Sequence, residues 1–103
     1  MDIAKSQHGD TTVFKLSGRL DTKTAPLLQE ALLPEFDVAT RVELDFADLS
    51  YVSSAGLRVL LMGEKTAKAK GKSMVLANVS ADIMEVFAMT GFSDILHFAP
   101  GGE

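Results

Sequence analysis

Four small residues, Ser53-Ser54-Ala55-Gly56, join a short apolar strand to a strongly apolar helix. They are the best-placed residues in this chain for chemistry. A strand that hands over to a helix through such a stretch exposes backbone N–H groups and hydroxyls at the helix start. An anion can bind there, or a hydroxyl can carry a phosphate. The plainer role for Ser53 or Ser54 is an N-cap, whose oxygen accepts a hydrogen bond from the first helical turn. The local pattern accommodates both.

Little else in the chain points to catalysis. Without cysteine, thiolate chemistry and disulfides are excluded. The two histidines, His8 and His97, lie far apart with no catalytic motif around them. His8, next to Gly9, is most simply a solvated turn residue. The residues flanking Ser54 are wrong for a Gly-x-Ser-x-Gly elbow. No Gly-x-x-x-x-Gly-Lys-Ser/Thr loop is present to hold a nucleotide. Asp21, Asp45 and Asp48 do not form a tight ligand cluster in the sequence. These features favour a binding module over an enzyme, with no cofactor and no metal.

The elements that must position Ser53 and Ser54 follow from periodicity. Ile3–Gln7 and Thr11–Ser17 flank the turn signal His8-Gly9-Asp10 and form an amino-terminal hairpin. Thr12, Phe14 and Leu16 share one face of the second strand. Gly18 allows a backbone conformation costly to other residues, and Asp21 is placed to accept hydrogen bonds from the next helix. Thr24-Ala25-Pro26 starts that helix with a capping hydroxyl and an early proline. Ala25, Leu28, Leu32 and Phe36 make its core stripe, and Pro34 kinks or ends it. Arg41–Phe46 is a strand whose charged alternate positions imply a sheet face with incomplete cover.

In the helix after Ser54, Leu57, Leu60, Leu61 and Ala67 point to the core, while Arg58, Met62, Lys65 and Ala69 point outward. Met62 is either an isolated exposed apolar residue or part of an adaptable binding surface. Gly71 is the expected left-handed cap. A strand at Ser73–Ala77 and a helix capped by Ser80 follow, the helix turning Ile83, Val86 and Phe87 inward and ending at Gly91. Ile95–Phe98 is expected as a last short strand, and residues 100–103 as a flexible tail. The order β-β-α-β-α-β-α-β implies an α/β fold. Its sheet is mixed but mostly parallel, with an antiparallel hairpin at one edge and about three helices.

At 103 residues the chain is one domain long, and its net charge of −4 disfavours nonspecific nucleic-acid binding. Lys65, Lys68, Lys70 and Lys72 lie around a helix end, where cations complement the dipole. Met1–Lys5 lacks a signal peptide's apolar core, and no apolar run is long enough to span a bilayer. A soluble, cytoplasmic protein without a membrane or direct nucleic-acid partner is expected.

Tyr51-Val52-Ser53-Ser54-Ala55-Gly56-Leu57-Arg58 resembles the signature of the STAS domain, the family of bacterial anti-sigma factor antagonists. In that family a strand leads into Asp-Ser-Ser/Thr-Gly-Leu-Gly, and the serine after the Asp is phosphorylated. Ser54 matches that serine. Ser53 stands where the family often has Asp, Ala55 where it has Ser or Thr, and Arg58 where it often has Gly. Ser17-Gly18-Arg19-Leu20-Asp21 with Thr24-Ala25-Pro26 is similar to the family's Gly-Glu-Leu-Asp and Ala-Pro segment. Phe87-Ala88-Met89-Thr90-Gly91-Phe92 is similar to its closing Phe and Thr-Gly-Leu.

The resemblance implies a small STAS-like α/β sandwich over residues 1–99. It also implies an anti-sigma factor antagonist that binds an anti-sigma factor serine kinase while Ser54 is unphosphorylated, releases it when phosphorylated, and is reset by a serine phosphatase. Asp21, Ser53, Ser54, Gly56, Arg58 and Met62 are the expected partner-binding residues, with Ser54 the phosphorylation site. The alternative from another class is a constitutive, non-phosphorylated STAS subunit of a larger signalling or transporter-associated assembly.

Overall fold

Two alternating segments open the chain. In the computed structural model, which describes residues 1–99, they form β1 (Asp2–His8) and β2 (Thr11–Leu20). The tail expected at residues 100–103 lies outside the described residues. β1 and β2 pair antiparallel, with Ile3 opposite Leu16 and Lys5 opposite Phe14. Then come α1 (Ala25–Glu35), β3 (Arg41–Val52), α2 (Ser54–Ala69), β4 (Ser73–Ala77), α3 (Ala81–Thr90) and a 3-10 turn at Phe92–Asp94. The sheet order is β1-β2-β3-β4, and β3 runs parallel to both its neighbours. This is the mixed, mostly parallel α/β sheet with an amino-terminal hairpin that the element order implies.

Alternation decides which face is covered. Val42, Leu44 and Phe46 of β3 are fully buried, as are Leu16 of β2 and Met74 and Leu76 of β4, with Phe14 close behind. All three helices lie on that face. Gly63 of α2 abuts Leu32 of α1 and Met74 of β4, and the Phe87 ring of α3 is 6.3 Å from that of Phe46. α1 contributes Ala25, Leu28 and Leu32 to the core and its C-cap residue contributes Phe36, all at the expected spacing. The charged positions Arg41, Glu43 and Asp45 keep partial solvent access on the opposite face.

The elements and their ends depart from expectation in four places. First, β3 continues past Phe46 to Val52, and β2 past Ser17 to Leu20. Register shifts near Ser17 and Gly18 break the alternation there, so the extension has no period-two signal. Second, Ile95–Phe98 is not a strand. The chain meets β4 through a single parallel bridge, where Leu76 N–H donates to the His97 carbonyl at 2.9 Å and Ala99 N–H to the Leu76 carbonyl at 2.8 Å.

Third, Leu61 is only half-buried while Val59 is buried, because α2 packs on the sheet and on α1 at once and its buried stripe is broad. Fourth, the Thr24 hydroxyl makes no helix cap; it turns back to the loop before α1. The other helix ends follow the sequence. Gly71 takes φ +68°, and Lys72 N–H reaches the Ala67 carbonyl while Gly71 N–H reaches that of Lys68, a Schellman arrangement. Ser80 caps α3 by accepting the Ile83 N–H.

One buried polar cluster ties the hairpin to α1. Glu35, at the end of α1, accepts the Thr12 hydroxyl at 2.6 Å and meets Lys5 Nζ of β1 at 3.0 Å. The hydrogen bond from Thr12 does most to hold the Glu35 carboxyl below its ordinary range; burial opposes this, and the hydrogen bond and charge of Lys5 add to it. A carboxyl so lowered stabilises the fold above its unfolded pKa, and that contribution is lost as pH falls through the folded value. Thr12→Val should therefore cost about 1–3 kcal/mol at neutral pH. The cost should shrink as pH drops below about 4. Urea unfolding across that pH range checks this, and a pH-independent cost would contradict it.

Candidate functional site

The segment after β3 gives its two serines different jobs. Ser53 has extended backbone and is the N-cap of α2: its Oγ accepts the Gly56 N–H at 3.3 Å. Its own N–H donates to the Leu20 carbonyl at 2.8 Å, and its carbonyl accepts from Leu57 at 2.9 Å. Ser54 is the first helical residue and is exposed. Among the described residues its hydroxyl has no hydrogen-bond partner. The cap therefore belongs to Ser53, and Ser54 presents a free hydroxyl.

Gly56 was expected on the partner surface, but it is buried. A Cβ there would lie 2.7 Å from Leu20 Cγ and 3.1 Å from the Leu20 carbonyl oxygen. Its contribution is to let the first turn of α2 close on the end of β2, which brings Ser53 and Ser54 beside the Arg19–Asp21 segment. The close approach of Leu20 accounts for the glycine.

That segment is held by its own hydrogen bonds. Asp21 Oδ1 accepts the N–H groups of Lys23 and Thr24 at 3.0 and 3.1 Å. The Thr24 hydroxyl accepts the Asp21 N–H and donates to the Arg19 carbonyl, both at 2.8 Å. Partial desolvation alone would raise the Asp21 pKa. The hydrogen bonds from Thr24 and Lys23, with the charge of Arg19, outweigh it and hold the carboxyl below its ordinary value. Asp21 is thus an anionic turn-former that organises the entry to α1, and it is half-buried at the edge of the site. Gly18, at φ +94°, permits the bend before it.

Arg58 is exposed one helical turn beyond Ser54. Met62, one turn further, is half-buried and not fully outward as expected. Ser54, Arg58 and Met62 share one face of α2 by the i, i+4, i+8 spacing.

Two contacts were not evident from sequence. The Arg19 guanidinium lies 4.2 Å over the Tyr51 ring, and its Nε is 3.8 Å from Asp21 Oδ2. The cause is the register of β2 on β3, which sets Arg19 beside Tyr51 and which the bulged residues conceal. The other is Glu64, buried in α2, with Oε2 at 3.1 Å from His97 Nε2. Its helical spacing from Leu57, Leu60 and Ala67 was the available signal. Asp45 and Asp48 are engaged separately, Asp45 with Asn78 and Asp48 with Lys15. No helix among the described residues is long and apolar enough to cross a membrane.

A family model described as "Mlab, STAS domain" matches residues 3–97. The chain belongs to the STAS-domain family. This STAS domain is 32% identical to an anti-sigma-B factor antagonist of Staphylococcus epidermidis, with 100% of this chain and 96% of that protein aligned. Its fold is that of SpoIIAA. The structure of the anti-sigma factor antagonist SpoIIAA in its unphosphorylated form superposes with a TM-score of 0.81 at 21% identity, covering 95% of this chain and 88% of that one. The Bacillus cell fate determinant SpoIIAA in the phosphorylated form superposes with a TM-score of 0.75 at 21% identity, covering 95% and 91%.

The close approach at Gly56 makes a direct test of the site's architecture. Gly56→Ala gains helix propensity but forces a methyl onto the Leu20 side chain and backbone. A net loss of about 1–3 kcal/mol is expected, read from chemical denaturation. An unchanged midpoint would mean that α2 and β2 are less tightly joined than the distances imply.

Proposed function

We propose that this STAS domain is an anti-sigma factor antagonist switched by phosphorylation of Ser54. In the unphosphorylated state it binds an anti-sigma factor serine kinase and so frees a sigma factor. The phosphorylated state releases the kinase, and a serine phosphatase resets the cycle, all in the cytoplasm. One observation carries this proposal: Ser54 offers an exposed, unengaged hydroxyl while Ser53 beside it supplies the cap, so Ser54 can be modified without dismantling the helix start. The full-length relative named as an anti-sigma-B factor antagonist supports the output. The partner surface is Ser54, Arg58 and Met62 on α2, with Ser53 at its edge and the Gly18–Asp21 segment alongside. Gly56 serves it from beneath.

A phosphate on Ser54 would carry roughly −1.5 to −2 charge at neutral pH. At the start of α2 it meets free N–H groups and the positive end of the helix dipole, a favourable setting by about 0.3–1 kcal/mol where exposed. The domain should stay folded when phosphorylated. The loss falls on the partner side, where the new charge must be desolvated or opposed.

Incubation with ATP and an anti-sigma factor serine kinase, followed by intact mass measurement, tests this. Wild type should gain one phosphate and Ser54→Ala none. The phosphorylated protein should keep its circular dichroism spectrum and lose most of its kinase affinity. Met62→Asp should weaken kinase binding with little change in thermal midpoint, because Met62 lies outside the packed core. Ser53 in place of the family's usual Asp favours a second function, a constitutive STAS subunit of a larger signalling or transporter-associated assembly. No phosphate on Ser54, with stable recovery of partners by wild type and Ser54→Asp alike, would establish that second function instead.

A further inference from the structure

One arginine, Arg58, lies on the helix of Ser54 and another, Arg19, on the neighbouring strand β2, and the structure treats them differently. Arg19 is already held, with its guanidinium stacked on Tyr51 and its Nε facing Asp21. Arg58 is exposed, and among the described residues no carboxylate lies within ion-pair distance of it. Its helical neighbours at three and four residues are Ser54, Ala55, Leu61 and Met62. None of these is acidic, and only Ser54 has a polar side chain. Side chains four apart on a helix face each other, and both residues lie within α2.

We propose that Arg58 is the intramolecular partner of the phosphate on Ser54, closing a charge-assisted pair one helical turn long. The proposal rests on phosphorylation of Ser54 as set out above and adds its local receptor. A guanidinium can meet two phosphate oxygens at once, and such pairs are stronger and shorter than neutral hydrogen bonds. The pair also engages the Arg58 guanidinium within the partner surface, so that it no longer offers a free cation to the partner. Phosphorylation then changes two groups of that surface together: an anion appears at position 54, and the cation at position 58 is neutralised locally.

The test installs phosphoserine at position 54 during translation, so that no kinase is needed, and follows the phosphate by phosphorus NMR as pH is varied. An adjacent cation favours the dianion, so the second phosphate ionisation, near 6 for free phosphoserine, should fall. In the parent protein it should lie about 0.3 unit or more below that in Arg58→Gln. Arg58→Lys should keep part of the difference, and molar salt should shrink it. Arg19→Gln should leave the phosphate unmoved.

Identical phosphate titrations in the parent and Arg58→Gln would overturn the pairing. So would a shift that depends on Arg19 and not on Arg58. Failure of a kinase to modify Ser54 would instead count against the proposed function, and the two failures are read in separate experiments.

Discussion

The close contact between the first turn of α2 and the end of β2 is the constraint on which this domain depends. Leu20 holds it from both sides. Its carbonyl receives the Ser53 N–H, and its side chain fills the space that a Cβ on Gly56 would need. This contact fixes where α2 begins, and therefore where its exposed face points. It also sets Ser53 and Ser54 beside the Arg19–Asp21 segment, residues more than thirty positions earlier in sequence. Parallel pairing of β2 with β3 delivers the two strand ends to the same end of the sheet, and the glycine lets α2 close on β2 there.

Around that contact, rigidity and availability are assigned to different side chains. Ser53, Thr24 and Asp21 spend their polar atoms on backbone groups, which orders the turn and the helix start. Arg19 is fixed by an aromatic face and a carboxylate. Ser54 and Arg58 are left exposed on this framework. For the proposed phosphorylation this division matters, since a free hydroxyl can be modified without withdrawing a hydrogen bond that the fold uses.

The sequence made the architecture legible wherever burial imposes a period. Val42, Leu44 and Phe46 alternate because one sheet face is covered, and Ala25, Leu28, Leu32 and Phe36 recur because one helix face is. Cap residues such as Ser80 and Gly71 were legible for equally local reasons. Contacts across elements were not. The Arg19–Tyr51 stack depends on a bulged register, the burial of Gly56 on Leu20, and the burial of Val59 in place of Leu61 on a helix that packs against two surfaces at once. Thr24 misled because its hydroxyl competes for the loop behind it as well as for the helix ahead. The spacing along α2 grouped Ser54 with Arg58 and Met62, and the structure showed how far each is exposed.

Gly63 lies midway along α2, pressed between Leu32 of α1 and Met74 of β4. A helix wedged at its centre has no slack along its axis. Sliding it would require both neighbours to find new positions in a close-packed interior, where such changes come as discrete jumps and not gradual drift. In the proposed switch, α2 therefore acts as a fixed mast that displays a tag, and does not work as a lever. Under that proposal the modified and unmodified forms would share one backbone, and no slow rearrangement would delay the signal. The proposed switch would then take its tempo from the enzymes that write and erase the tag and from how quickly the partner lets go.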